Sequence, residues 1–465
     1  MSVVKHLVAR HAEDAAFYWA RCQEGQFSAQ QDIATLKRFS HLVEANLEGL
    51  RVAQQECQAC TPSNGAGWQA TFSRTQKWRT ADEAFVSGVL ALETALAASA
   101  PTQALLDAMA QLATNQFAET GEREVAKGLA LAASWLGLPA INLLSNLWQQ
   151  SADPIQRYIT LAAAAKHESL SDTVLTAWLQ DTHPLVRAHA MRCVGELGRT
   201  KLGETLVPAM DPLQEADADC RYWAAISRCL LGYVDGAPLL GKWASEHPEQ
   251  PRSRHALAVL AQLLPPDTMF RTLSNALGLP THQRCALDAI RYTGDLRWVP
   301  YLLDLVDAHT QPDALRSALL EPASNLARLA ADVLAHLTGH PIGGNMQHAA
   351  LWQDTPSAED LWEPDEAGNY PDPASDPAIP VHRKQDPDSG LLWPDPLKLR
   401  PAMSTYVSHA TFGAEQLPIL GGQTLTSERA QIVFADPEAT QLQRRHAALF
   451  LRCKGYSATL LSSGV

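Results

Sequence analysis

An arginine recurs through the middle of this 465-residue chain at a nearly constant step: Arg157, Arg187, Arg221, Arg254 and Arg284, spaced 30, 34, 33 and 30 residues apart. Each stands near the start of an apolar, alanine-rich stretch with helical spacing, as in PIQRYITLAAAA (154–165), PLVRAHAMRCVGELG (184–198), ADCRYWAAISRCLLG (218–232), PRSRHALAVLAQLL (251–264) and THQRCALDAIRYTG (281–294). Self-similarity at a step of about 30 to 45 residues marks stacked helical units, none of which can bury its apolar face alone. The period therefore restricts the chain to an all-α fold, an α-solenoid that offers an extended surface to another macromolecule.

The array is expected over residues 101–339, as paired helices. An outer apolar helix such as AINLLSNLW (140–148), DTVLTAWL (172–179) or WVPYLLDLV (298–306) is followed by a short turn with Pro or Asp, then by the arginine-opened inner helix. Residues 1–100 are helical without the period and form an N-terminal region. Its first helix is expected over Val3–Cys22, and its second from an N-cap at Ser28 to about Gln55. Pro62, Gly65 and Gly67 then break the pattern. A third helix begins at a Thr80–Glu83 capping box. Residues 340–401, rich in proline and carboxylates, read as a linker, because they bury too little apolar surface to offset ordering entropy. Trp352, Trp362 and Trp393 within it are expected to dock, on this chain or on a partner. Residues 402–465 return to folded composition. Gly413 and Gly421-Gly422 mark turns there, and QLQRRHAALFL (441–451) repeats the Arg-then-Ala-Ala pattern as a capping unit.

The net charge of −13 argues against nucleic acid, whose phosphates need clustered cations, and favours steering toward a basic protein. No stretch reaches the roughly 18 consecutive apolar residues of a membrane helix. His11, Glu13 and Asp14 interrupt the start where a secretory signal would be apolar, so a cytoplasmic location is expected.

Motifs for nucleotide binding, nucleophile elbows and zincins are absent from the sequence. Three weaker patterns remain. Cys57 and Cys60 have ligand-like spacing but no second pair. His336 and His340, with His348 following, could hold a metal on one helix face, but Gly339 and Pro341 end the helix between them. His11 and Asp14 could act as an acid–base pair or bond locally on a polar face. None of these carries an enzyme assignment, and neither a cofactor nor a metal is expected.

The units resemble HEAT repeats of the phycobilisome-lyase-like subclass, in which a Pro/Asp turn and an arginine open each inner helix. The resemblance implies a HEAT-like α-solenoid with an N-terminal helical cap, a Pro/Asp-rich linker and a small C-terminal folded unit. It also implies that the arginine is a structural ladder bonding loop carbonyls and carboxylates of adjacent units, or else a partner-binding stripe. On the second reading the partner-binding residues are Arg187, Arg221, Arg254 and Arg284, with Trp352, Trp362 and Trp393. HAEDAAFYW (11–19), LKRFSHLVEANLEGLRVA (36–53), AFVSGVLALE (84–93) and RRHAALFL (444–451) are further similar to an uncharacterised bacterial HEAT-repeat family often encoded among type VI secretion genes. The chain departs from that family at Asn46, where histidine is expected, and in its proline-rich linker. The family context implies a protein partner, and with it an immunity protein covering a secreted toxin or a chaperone holding an effector. An enzyme with a histidine-based metal or lyase site is the competing class.

Overall fold

The computed structural model describes residues 4–28, 31–55, 64–97, 103–167, 170–311, 313–314, 324–340, 388, 391–409 and 418–458. The fold is all-α. Its helices are α1 (Lys5–Gly25), α2 (Ile33–Gln55), α3 (Ala66–Trp78), α4 (Ala81–Ala97), α5 (Ala104–Thr120), α6 (Glu124–Leu136), α7 (Leu138–Trp148), α8 (Pro154–Lys166), α9 (Asp172–Leu179), α10 (Pro184–Glu196) and α11 (Ala218–Leu230). They continue with α12 (Ala237–Glu246), α13 (Pro251–Leu263), α14 (Pro266–Leu277), α15 (Pro280–Thr293), α16 (Val299–His309), α17 (Ala327–Thr338), α18 (Pro396–Ala402), α19 (Ser404–His409), α20 (Ser427–Ala435) and α21 (Gln441–Cys453). One antiparallel hairpin, β1 (Ile419–Leu420) with β2 (Gln423–Thr424), is the strand pairing among the described residues. No helix among them is long and apolar enough to cross a membrane.

The chain forms two compact units, residues 1–242 with 430–465, and residues 243–429. In the first, α4 packs on α6, α6 on α8, α8 on α10 and α10 on α11, while α5, α7 and α9 lie against this row. Small residues permit the close approach. A Cβ on Gly128 would lie 2.3 Å from the Ala81 carbonyl oxygen, and one on Gly195 would lie 2.5 Å from Cα of Ser227. At the N-terminal end the rings of Trp19 and Phe85 stack at 3.8 Å, and Trp135 meets both edge-on. In the second unit α13 packs on α15 and α15 on α17.

Proline opens α8, α10, α13 and α15 from the first turn, where its missing N–H removes no bond and its fixed φ suits the helix. The arginine three residues on then ties neighbouring turns together. Arg157 donates from Nε and Nη2 to both carboxylate oxygens of Asp181 (2.8 and 2.9 Å) and from Nη1 to the carbonyls of Ser151 and Ala152. Arg187 repeats this one unit later, with Glu215 (3.0 and 2.9 Å) and the carbonyls of Asp181 and Thr182. Arg221 donates to the carbonyls of Glu215 and Ala216, each at 2.7 Å. The acceptor carboxylate is used twice, since Asp181 also accepts from the backbone N–H of His183, and Glu215 from that of Asp217. Hydrogen bonding to arginine and backbone holds the Asp181 and Glu215 carboxyls below their ordinary range despite the opposing effect of burial. A planar fork with five donors meets two carbonyls and a carboxylate at once; an ammonium cannot.

Several local expectations are corrected. Ser28 does not cap α2: its hydroxyl accepts from Gln31 N, and the Asp32 carboxylate accepts from Thr35 N directly ahead of Ile33. A helix, α3, begins inside the segment read as a break. Gly67 is a packing glycine there, with a would-be Cβ 2.4 Å from the Leu50 carbonyl oxygen. Of the Thr80–Glu83 box only one arm forms, at 3.5 Å, because Glu83 turns to Arg74 in a forked ion pair. Gly421 and Gly422 do form a turn, each with positive φ, and they close the hairpin. Their N–H groups donate to the His336 and Leu337 carbonyls, satisfying orphan acceptors at the end of α17.

Burial pushes the thiols of Cys22 to about 11 and of Cys193, Cys229, Cys285 and Cys453 to about 12, and it raises Cys220 as well. These six are protonated and shielded at neutral pH. A thiol reagent should therefore titrate no more than two of the eight cysteines in the native chain and all eight after unfolding. Arg187→Ala should lower stability by about 2–3 kcal/mol, the scale of hydrogen bonds to charged groups left unmade, read as a lower urea midpoint. Arg187→Lys should recover less than half of that loss.

Candidate functional site

The inner row carries a second set of polar side chains that the ladder does not use. In α8, Tyr158, Ala162 and Lys166 follow at i, i+4 and i+8; in α10, His189, Arg192 and Glu196 follow at i, i+3 and i+7. Each set shares one helix face. The Tyr158 and His189 rings meet edge-on at 5.0 Å, which aligns the two faces. The Arg123 guanidinium, at the start of α6, lies 5.8 Å from the Tyr158 ring centroid. Arg192 lies 4.8 Å over the Trp223 ring of α11 and donates from Nε to Glu196 Oε1 at 2.9 Å.

Helix α21 walls this face. At its start the N–H groups of Gln441 and Leu442 donate to the carbonyls of Gln31 and Ser28, in the turn between α1 and α2. A capping box of Thr440 with Gln443 fixes that end. At its other end Arg452 donates to the Glu196 carbonyl at 3.3 Å, and the helix packs on α11. Arg445 lies between these anchors, 4.5 Å over the Phe27 ring, and its charge acts on Lys166.

The electrostatics describe a recess. Arg123, Lys166, His189, Arg192 and Arg445 all keep partial contact with solvent, and the Arg192 side chain is 37% exposed. Yet burial is the leading influence that lowers Lys166 to about 8, followed by the charge of Arg192; Glu196 opposes the shift and Arg445 adds to it. Burial, then Arg192, Arg123 and Lys166, hold His189 well below its ordinary value, so its ring is neutral at neutral pH. Partial solvent access combined with strong desolvation is what a concave, protein-walled surface produces. The Glu196 carboxylate is buried, and its Oε2 has no hydrogen-bond partner among the described residues. Four cations thus gather around one carboxylate in a chain of net charge −13.

The structure places the residues singled out in the sequence elsewhere. Arg187 and Arg221 spend their guanidinium donors on the ladder. Arg284 forks onto Asp388 (2.7 and 2.8 Å), and Arg254 stands exposed on α13. Trp393 is half-buried, with the Arg328 guanidinium 4.7 Å from its centroid, while Trp352 and Trp362 lie outside the described residues. Cys57, Cys60 and His348 lie outside them too. His336 is buried beside Tyr292, and His340 is exposed beyond Gly339, whose φ of 73° turns the chain away, so the two imidazoles do not converge. His11 pairs with Asn46 through Nδ1 at 2.9 Å, and Asp14 accepts from Arg10, so the proposed acid–base pair does not form.

The recess residues escaped the periodic reading because they come from α6, α8, α10 and α21 at positions unrelated to the repeat step. A signal was present nonetheless: α10 carries His189, Arg192 and Glu196 on one face of a helix whose other side chains are apolar or committed to the ladder. Comparison with protein-family models, curated proteins and solved structures yields no match for this chain.

Clustered like charges weaken a fold, and their retention points to use. A lysine whose folded value is lowered binds fewer protons folded than unfolded, so its penalty is full below pH 8 and fades as pH rises toward the ordinary lysine value. Lys166→Met should therefore raise the urea midpoint at pH 7, and that advantage should shrink as the pH is taken from about 8 to about 10.5.

Proposed function

We propose that this chain is a protein-binding helical-repeat scaffold, a HEAT-like α-solenoid. The observation that supports it most is the division of labour among its arginines. Arg157, Arg187 and Arg221 are consumed in joining successive units. Arg123, Arg192 and Arg445 face a recess at an electrostatic cost that folding does not require. Surfaces held against their own stability are the ones that contact other molecules.

The sequence resemblance supports a place in bacterial type VI secretion, as a cytoplasmic immunity protein that covers and neutralises a cognate toxin. The accessory-chaperone reading draws on a different observation: a walled recess suits one extended segment of an effector better than a broad toxin face. Catalysis is not part of the proposal, nor is any metal or cofactor.

Affinity purification of the tagged chain from its own cells, with mass spectrometry, tests the scaffold reading. A single secreted or toxin-like protein should be recovered in near-equal amount. Restored growth of cells expressing that protein together with this chain would mark immunity; unrelieved toxicity with improved secretion would mark a chaperone. Recovery of no protein in stoichiometric amount would overturn the scaffold reading.

A further inference from the structure

We infer that the recess bounded by α6, α8, α10, α11 and α21 is a docking site for an acidic protein segment, whose carboxylates pair with Arg123, Lys166, Arg192 and Arg445 while an apolar or aromatic side chain rests on Trp223. The inference deepens the scaffold reading and rests on it.

Charge complementarity commits the site to its occupant. Three guanidiniums present planar forks that match carboxylates in two-point geometry. Two of them already lie over rings, Arg123 over Tyr158 and Arg192 over Trp223, which orients the fork while leaving its edge available. Glu196, buried with Oε2 unpartnered, holds Arg192 in place from behind through Oε1. Its single charge does not neutralise the group. The neutral His189 ring between Tyr158 and Arg192 can donate or accept a hydrogen bond without adding repulsion. An arriving carboxylate restores the counter-charge that Lys166 lacks and displaces water from a surface already poor in it.

A nucleic-acid strand is disfavoured, because the net charge of −13 repels a continuous line of phosphates beyond the few that four cations could meet. An acidic segment within a larger protein carries its charge locally and fits the localised cluster. The anchors of α21 on both the α1–α2 turn and α10 hold the wall in place, so the site is formed before its ligand arrives.

The test uses the full chain and fluorescence anisotropy with a labelled deca-glutamate peptide at low salt, with deca-lysine and a ten-nucleotide oligothymidylate as competitors. Saturable binding of deca-glutamate, weakened by salt and not competed by deca-lysine, is expected. Arg123→Gln and Arg445→Gln, which leave no buried carboxylate stranded, should each weaken it about tenfold, the scale of one charge-assisted hydrogen bond. Lys166→Met, expected to fold more stably, should weaken it similarly and so separate binding from folding. Unchanged affinity in all three variants would overturn the site, and so would oligothymidylate displacing the peptide at equal or lower concentration. The two readings fail separately. A stoichiometric partner retained equally by wild-type chain and the Arg123→Gln/Arg445→Gln double variant would sink the recess and spare the scaffold. Peptide binding lost in the variants, with no cellular partner recovered, would do the reverse.

Discussion

A guanidinium that bonds backward to two carbonyls of its own turn and forward to the carboxylate of the next is the interaction on which the rest of the first unit depends. Arg157 and Arg187 each make it, and each carboxylate also receives a backbone N–H from the turn it belongs to. The bond therefore sets the distance between neighbouring inner helices as well as the shape of the connecting turn. Asp181 and Glu215 differ in length, yet both accept two guanidinium donors, so the spacing tolerates a change of side chain while keeping the charge. Buried apolar surface drives the helices together; the ladder decides how they align.

Once the row is aligned, faces that look unrelated in sequence become neighbours. The stripe of α8 meets the stripe of α10 because their arginines sit in equivalent places, so Tyr158 reaches His189 and Lys166 comes under the field of Arg192. Close approach at Gly128 and Gly195 keeps the helices near enough for such contacts. The recess is thus a by-product of regular stacking that irregular residues have colonised, and Arg445 of α21 completes it from far along the chain.

What the sequence made legible follows from this. The repeated arginine and the proline before it announced helices at 154–166, 184–196, 251–263 and 280–293 because period and helix-start chemistry agree there. Helix α3 was hidden because Gly67 has the same letter whether it breaks a helix or lets Leu50 come close. Ser28 was mistaken for a cap because Asp32, four residues on, offers the same oxygen nearer the helix. His336 and His340 had the right spacing, but the left-handed turn at Gly339 undoes it. The recess was not legible at all as a site. No period links Arg123, Lys166, Arg192 and Arg445, and only the folded backbone brings them within range of one another.

The double anchoring of α21 also has a bearing on how the chain reaches its native state. Arg452 bonds to a carbonyl 256 residues earlier, and Gln441 and Leu442 bond to the turn after the first helix. On the ribosome, α1 through α11 must therefore wait with an open wall while the whole second unit is synthesised. Contacts of such long sequence separation form slowly, because loop-closure entropy is spent before they reward it. For that interval the basic lining stays uncovered, open to acidic chaperone or partner surfaces that the finished molecule would admit only through its entrance.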